Sequence, residues 1–274
     1  PGPRPTLIAG SGTVGQGDQC PSSRTLSTAT SSQVSDAITG FAAEGVNVVV
    51  SDYIGLGTPG IHTYADRVET GNAMLDAARA GLTLTGAGAS DPIGFHGYSQ
   101  GGGAAASAAA LASTYAPELT VKGSYAGAPP ADLSKVIDHI DGTSIAAGIG
   151  YAVNGMYDRY PEVRSILNKN LSAHGKHVLK TISTQCLENS VMSFGLMHTS
   201  SWTKSGEPLS RIINRNPAAR RVMNDQKIGR LKPSAPVLLG TGINDDIVPT
   251  GQVEQLARDW RAKGSGPASP GGTC

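Results

Sequence analysis

The segment FHGYSQGGG, residues 95–103, sets one hydroxyl, Ser99, between glycines two positions away on either side. Gly97-Tyr98-Ser99-Gln100-Gly101 satisfies the pattern G-x-S-x-G, in which a serine is lifted on a sharp strand-to-helix turn so that its oxygen can attack a carbonyl carbon. The chemistry depends on the glycines. A side chain two residues before or after the serine would collide with the neighbouring strand and helix, and the turn itself asks for a strained backbone. An ordinary strand-to-helix turn would also account for the pentapeptide, so the surrounding elements decide between the two.

A serine nucleophile needs amides to hold an oxyanion and a base oriented by an acid. The backbone N–H of Gln100, next after the serine, is one expected oxyanion donor; the second is expected from the glycine-rich loop AGSGTVGQGDQC at 9–20, with Thr13 the choice. In the chain order Ser, Asp or Glu, His, the acid should follow a later strand. APVLLGTGINDDIVPTGQ provides Asp245 and Asp246 after an apolar run. One of them would fix a histidine's tautomer, leaving the other as a turn or helix-capping residue.

Those residues must be held by a scaffold. Short apolar runs at 5–10, 46–50, 92–97, 121–127 and 235–242, each bounded by Gly or Pro, predict buried parallel strands. Between the first two, Val34, Ile38 and Phe41 recur at helical spacing. Between the next two, Val68, Gly71, Leu75 and Ala78 do the same, which leaves Asp66, Arg67, Glu69 and Arg79 for water. The alanine-rich run after Ser99 predicts a helix that packs close to the sheet and points its amino end, favourable to negative charge, at the serine. Alternation of this kind means an α/β fold, a mostly parallel sheet with helices on both faces. Residues 128–234 are too many for one crossover and read as several helices. They predict an inserted helical cap over 131–204, between core segments 1–130 and 205–274, covering the carboxyl ends of the strands where ligands bind in open α/β sheets. With strand, helix and loop in place, Ser99 reads as the nucleophile.

Composition removes other classes. The net charge of +1 and 16% charged residues provide no basic footprint for nucleic acid and no polybasic membrane patch. No apolar run approaches the roughly 20 residues of a bilayer span. The opening PGPRPTLIAG lacks the pattern of a signal peptide, so an export signal is expected to have been removed or to lie outside this sequence. Cys20, Cys186 and Cys274 fit no metal-ligand spacing. One disulfide with one leftover thiol suits an exported protein and three free thiols a cytosolic one; the first is the expectation, with Cys20 and Cys186 paired.

GSGTVGQGDQC, SDYIGLGTPGIHTY, GYSQGG, AGAPPADL and GTGINDDIVPTGQVEQLARDW follow one another in this order. In these motifs, and over nearly its whole length, the chain resembles the secretory lipases of the lipase A type, α/β-hydrolases with a helical cap. The resemblance implies Ser99 as nucleophile, Asp245 rather than Asp246 as acid, and an acyl-chain tunnel in the cap. Acylglycerols and other carboxylic esters are the implied substrates, met in passing contact with a lipid interface, with no cofactor and no metal. Ile145, Ile149, Val153 and Met156, at helical spacing, would then be either cap core or the wall of an acyl pocket.

The chain departs from that pattern at both ends. The family carries an N-terminal segment before the position of Pro1, and its catalytic histidine follows the helix at 251–263, where this chain continues as GSGPASPGGTC. All six histidines precede Asp245. A histidine beyond Cys274 is therefore expected. The substitutes are His62 in the loop after 46–50, His198 in the cap segment FGLMHTSSW, and His96, expected to pack in the sheet; His139, His174 and His177 are expected in water. The expected activity is serine ester hydrolysis through an acyl-enzyme on Ser99. The alternatives are a truncated or inactive relative that binds acyl ligands without turnover, and an acyltransferase or amidase on the same scaffold.

Overall fold

A computed structural model describes residues 4–27 and 35–265, and its centre is one parallel sheet of order β2-β1-β3-β4-β5. The strands are β1 (Thr6–Gly10), β2 (Asn47–Ser51), β3 (Pro92–Tyr98), β4 (Thr120–Gly127) and β5 (Val237–Gly240), close to the five runs read from the sequence. Their carboxyl ends are level: Gly10 pairs with Gly97, Tyr98 with Gly127, and Gly127 with Gly240. Loops leaving four strands therefore open onto one edge. Backbone strain collects there, with positive φ at Tyr53, Tyr64, Ser99 and Ala128, each just past a strand end or in the loop that follows.

Twelve helices accompany the sheet among the described residues: α1 (Ser22–Ser27), α2 (Ser35–Ala43), α3 (Arg67–Thr85), α4 (Gln100–Tyr115), α5 (Leu133–Ile140), α6 (Ala147–Arg159), α7 (Pro161–Asn170), α8 (Ala173–Ile182), α9 (Leu187–Phe194), α10 (Leu209–Arg215), α11 (Pro217–Asp225) and α12 (Thr250–Ala262). The period of two along β3 sorts them. Ile93 and Phe95 pack with Met74 and Leu75 of α3 and Ala104 and Ala108 of α4, whereas His96 meets Phe41 of α2 on the other face. Small residues bring α4 close. A Cβ at Gly97 would run into the carbonyl of Gly101, and one at Gly101 into the carbonyl of Gly10.

Helices α5 to α11 fill the long connection between β4 and β5 and form an apolar cluster of their own around Trp202, Tyr151, Ile149 and Ile182. The helical segment expected over 131–204 continues through α10 and α11 to Asp225, because Leu209, Val222 and Met223 belong to that same cluster. The stretch 176–196 carries the end of α8 and the whole of α9. Its break at 183–186 is where Gly15 bridges to Cys186, and Cys186 forms a disulfide with Cys20. Cys274 and Val34 lie outside the described residues.

The solvent face read for α3 is wrong in two places. Asp66 and Glu69 are buried and Val68 is exposed. Asp66 is the N-cap of α3, accepting from the amides of Val68 and Glu69, and its other oxygen accepts from the Tyr160 hydroxyl at 2.6 Å and from Gln226 Nε2 at 3.1 Å. Glu69 pairs with Arg159 at the end of α6. Helical periodicity within α3 cannot register this, because the residues that cover the acids lie in the cap.

Two consequences are measurable. Asp66→Ala removes a cap and leaves the Tyr160 hydroxyl without its acceptor, which should lower the unfolding free energy by about 2–4 kcal/mol in a urea titration. The disulfide joins residues 166 apart. Replacing both cysteines by serine should cost about 2–5 kcal/mol in the chain-entropy model, and the denatured, unreduced parent should titrate as one thiol out of its three cysteines.

Candidate active site

Ser99 stands where β3 turns into α4, at φ 57° and ψ −120°, and its backbone is fixed on both sides. Its N–H donates to the Gly127 carbonyl at 2.9 Å, and its own carbonyl accepts from the Gly103 amide at 3.0 Å. The first amides of α4, that of Gln100 included, have no acceptor within the helix and carry the positive end of its dipole. This end of the helix borders a cavity of about 510 Å³, within the usual range for small-molecule sites. Ser99, Gln100 and Thr13 all line it, beneath a roof of Leu133, Val136, Ile137 and Ile140 from α5.

The expected acid lies at the same edge. Asp245 follows β5, and its Oδ1 accepts from the amides of Ile247 at 3.0 Å and Val248 at 2.8 Å, two residues that also line the cavity. Asp245 thus also makes the turn expected of one member of the pair, and Asp246 is exposed. Tyr98, which precedes the serine, has its phenol raised above the usual range, first by desolvation and then by the nearby charges of Asp245 and Asp246.

The histidines are dispersed. His62 is fully buried; its Nδ1 donates to the Ile54 carbonyl at 3.0 Å, which leaves Nε2 to accept from the side-chain amide of Gln100 at 2.8 Å. Burial lowers its pKa to about 4, so it is neutral near pH 7. Its ring does not line the Ser99 cavity. His198 is exposed, 3.5 Å from Asp141, and does not line the cavity, and His139, His174 and His177 are exposed as expected. His96 does line the cavity, with its ring stacked on Tyr125 at 5.1 Å and edge-on to Phe41 at 5.6 Å; burial lowers its pKa. Among the described residues, no histidine is hydrogen-bonded to Ser99.

Of the stripe Ile145, Ile149, Val153 and Met156, only Ile145 reaches the cavity, and the other three are buried in the cap's own cluster. The apolar wall is instead the stripe of α5, whose Leu133, Val136, Ile137 and Ile140 fall at i, i+3, i+4 and i+7 and are legible as such in ADLSKVIDHI. The pairing of His62 with Gln100, and the bond of 2.7 Å between the Tyr64 hydroxyl and Thr13 Oγ1, left no signal of that kind. Among the described residues no group of three His, Cys, Asp or Glu side chains is placed to hold a metal ion, and no helix is long and apolar enough to cross a membrane.

Comparison with known proteins places this geometry in a family. A probable inactive lipase of Mycobacterium tuberculosis is 29% identical over 225 residues, which are 81% of this chain and 49% of that protein. A secreted triacylglycerol lipase of Malassezia globosa is 28% identical over 71% of this chain and 44% of its own length. The chain thus spans about half the length of these curated relatives. Among solved structures, Candida antarctica lipase A superposes with a TM-score of 0.83 at 23% identity, over 96% of this chain and 63% of that one. The rice cell wall degrading esterase LipA of Xanthomonas oryzae does so with a TM-score of 0.79 at 20% identity, over 97% and 73%. Those likenesses establish the α/β-hydrolase fold. The family model for secretory lipases matches residues 21–267, from the disulfide loop to beyond α12, and the chain belongs to that family.

Proposed function

We propose that this chain is the core of a secreted serine hydrolase of carboxylic esters, with acylglycerols as the substrate class. The observation that carries the reading is Ser99 on a strained turn, at the amino end of α4, on the wall of an apolar cavity. Ser99 Oγ attacks the acyl carbon, the ester C–O bond breaks, and the alcohol leaves with a proton. Water then releases the acid from the acyl-enzyme. The amides of Gln100 and Thr13 would hold the oxyanion, and the Asp245 oxygen not used in its turn would orient a histidine. The apolar stripe of α5 would take the acyl chain, in a cap that extends from about residue 131 to the end of α11. Secretion is supported by the secretory family and by the Cys20–Cys186 disulfide.

A second reading, acyl-ligand binding without turnover, is favoured by one observation: no described histidine is hydrogen-bonded to Ser99. The relative from Mycobacterium tuberculosis bears the name of an inactive lipase. The two readings differ in what Ser99→Ala does. With the pocket and amides but no positioned base, the 274-residue chain should hydrolyse p-nitrophenyl butyrate at roughly 10³–10⁴ times the rate of water. Ser99→Ala should abolish labelling by a fluorophosphonate, whereas His96→Ala should leave the rate unchanged. Labelling that survives Ser99→Ala would sink the nucleophile, and butyrate bound with no Ser99-dependent product would establish the second reading.

The cavity wall sets chain length. Val136→Trp narrows the space under α5. Excluding two or three methylenes forfeits about 2 kcal/mol, so hydrolysis of a decanoate ester should fall roughly thirtyfold relative to the acetate ester. Equal losses on both esters would locate the acyl chain elsewhere.

A further inference from the structure

The loop after β2, residues 52–66, touches both expected oxyanion donors, and it does so through two side chains two positions apart. His62 Nε2 holds the side-chain amide of Gln100 at 2.8 Å, and the Tyr64 hydroxyl is 2.7 Å from Thr13 Oγ1. A third contact flanks them. Tyr53, at the start of the loop, donates its hydroxyl to the Ser11 carbonyl at 2.7 Å and stacks on the His62 ring at 5.7 Å, while Tyr64 meets that ring edge-on at 6.1 Å. The loop is in turn fastened to its surroundings. Gln16 Nε2 donates to the His62 carbonyl at 2.8 Å and to the Tyr151 carbonyl of α6 at 2.9 Å.

These bonds are directional. The Ile54 carbonyl can only accept, so Nδ1 of His62 carries the proton and Nε2 is an acceptor, a state that burial enforces. Gln100 therefore presents its amide nitrogen to His62, and the residue lies 4% exposed at the head of α4, on the lining of the cavity. Tyr53 and Tyr64 sit at φ of 66° and 49°, a strained conformation for residues with a side chain that persists only where surrounding contacts impose it. Strain concentrated in the two aromatic residues that flank His62 indicates a loop held in place for a purpose other than its own stability.

We infer that His62 and Tyr64 are positioning residues for the oxyanion hole, His62 setting the Gln100 amide and Tyr64 setting that of Thr13. His62 lies outside the cavity and acts through Gln100; Tyr64 lines the cavity, and its hydroxyl is engaged with Thr13 Oγ1. The inference rests on the ester-hydrolase reading above and deepens it. One loop holds the two amides at a fixed separation although they lie on different strands' connections. An oxyanion forming between them meets donors that need no rearrangement.

The test is hydrolysis of p-nitrophenyl butyrate by the full chain and its Y64F, H62L and H62Q variants, with a 15N–1H NMR spectrum of each. Y64F and H62L should lower the Ser99-dependent kcat by at least about tenfold with KM unchanged, since a mispositioned donor loses part of the 10²–10³ that removing one costs. H62Q keeps an acceptor near the Nε2 position and should recover most of the loss. In the spectra, H62L should displace the backbone amide of Gln100 and Y64F that of Thr13. Y64F removes a single oxygen, so it decides the question if H62L does not fold. A parental kcat in Y64F and in every folded His62 variant, or amides of Thr13 and Gln100 that do not move, would overturn the inference. Displaced amides in a chain whose parent shows no Ser99-dependent turnover would uphold the positioning and overturn the esterase reading instead.

Discussion

The rest of the structure depends on how closely the first turn of α4 approaches the ends of β1 and β4. That contact is backbone on backbone. A Cβ at Gly101 would meet the Gly10 carbonyl, one at Gly102 the Gly127 carbonyl, and one at Gly97 the Gly101 carbonyl. Only three glycines in register allow it. The consequence is that Ser99 is forced to φ 57°, where a residue with a side chain is strained, and the strain is borne by its bonds to Gly127 and Gly103. Because Gly10 pairs with Gly97 and Tyr98 with Gly127, the same approach brings the loop after β1 beside the serine.

What closes the site from above is not local to it. The cap has its own apolar cluster, against which Tyr64 and Ala65 of the loop after β2 also pack, and buried polar groups tie it to the core. Asp66 gathers the α3 amides, Tyr160 and Gln226, while Gln16 joins the β1 loop to the loop after β2 and to α6. Buried polar groups of this kind are costly if half satisfied, so they define one docking position rather than a range. The Cys20–Cys186 disulfide acts at the other end of the loop that carries Thr13, and main-chain bonds from Gln16 and Gly17 to the Gln185 carbonyl run alongside it.

What could be read from the sequence follows the range of the interactions concerned. The five strands were legible because each is an apolar run stopped by Gly or Pro, and the Ser99 turn because its requirements lie within five residues. A disulfide between Cys20 and Cys186 was the expectation, but three cysteines allow three pairings and nothing local to any of them selects this one. By contrast, the burial of Asp66 and Glu69 depends on Tyr160, Arg159 and Gln226, on helices whose docking no periodicity in α3 records. The same holds at the site. Gln100 and His62 are 38 residues apart and Thr13 and Tyr64 are 51 apart, and both pairs meet only because β1, β2 and β3 are neighbours in the sheet. The stripe of α5 was visible as a stripe, but its assignment to the cavity, in place of the stripe of α6, required knowing which face of each helix looks at Ser99.

Neutral His62 also bears on which histidine can serve the serine. A general base must offer Ser99 a lone pair and hand its other nitrogen to an acid. His62 has both nitrogens engaged, by Ile54 and Gln100, and protonating it would turn an acceptor into a second donor facing the Gln100 amide. His96 shares the cavity, but its ring faces Tyr125 and Phe41 on β3's far side from α4. Asp245 sits two strands from Ser99 with one oxygen committed to its turn, which on the proposed reading leaves the second to orient a base. On the ester-hydrolase reading proposed above, His62 therefore serves the site through Gln100 rather than as the base, just as Tyr64 serves it through Thr13.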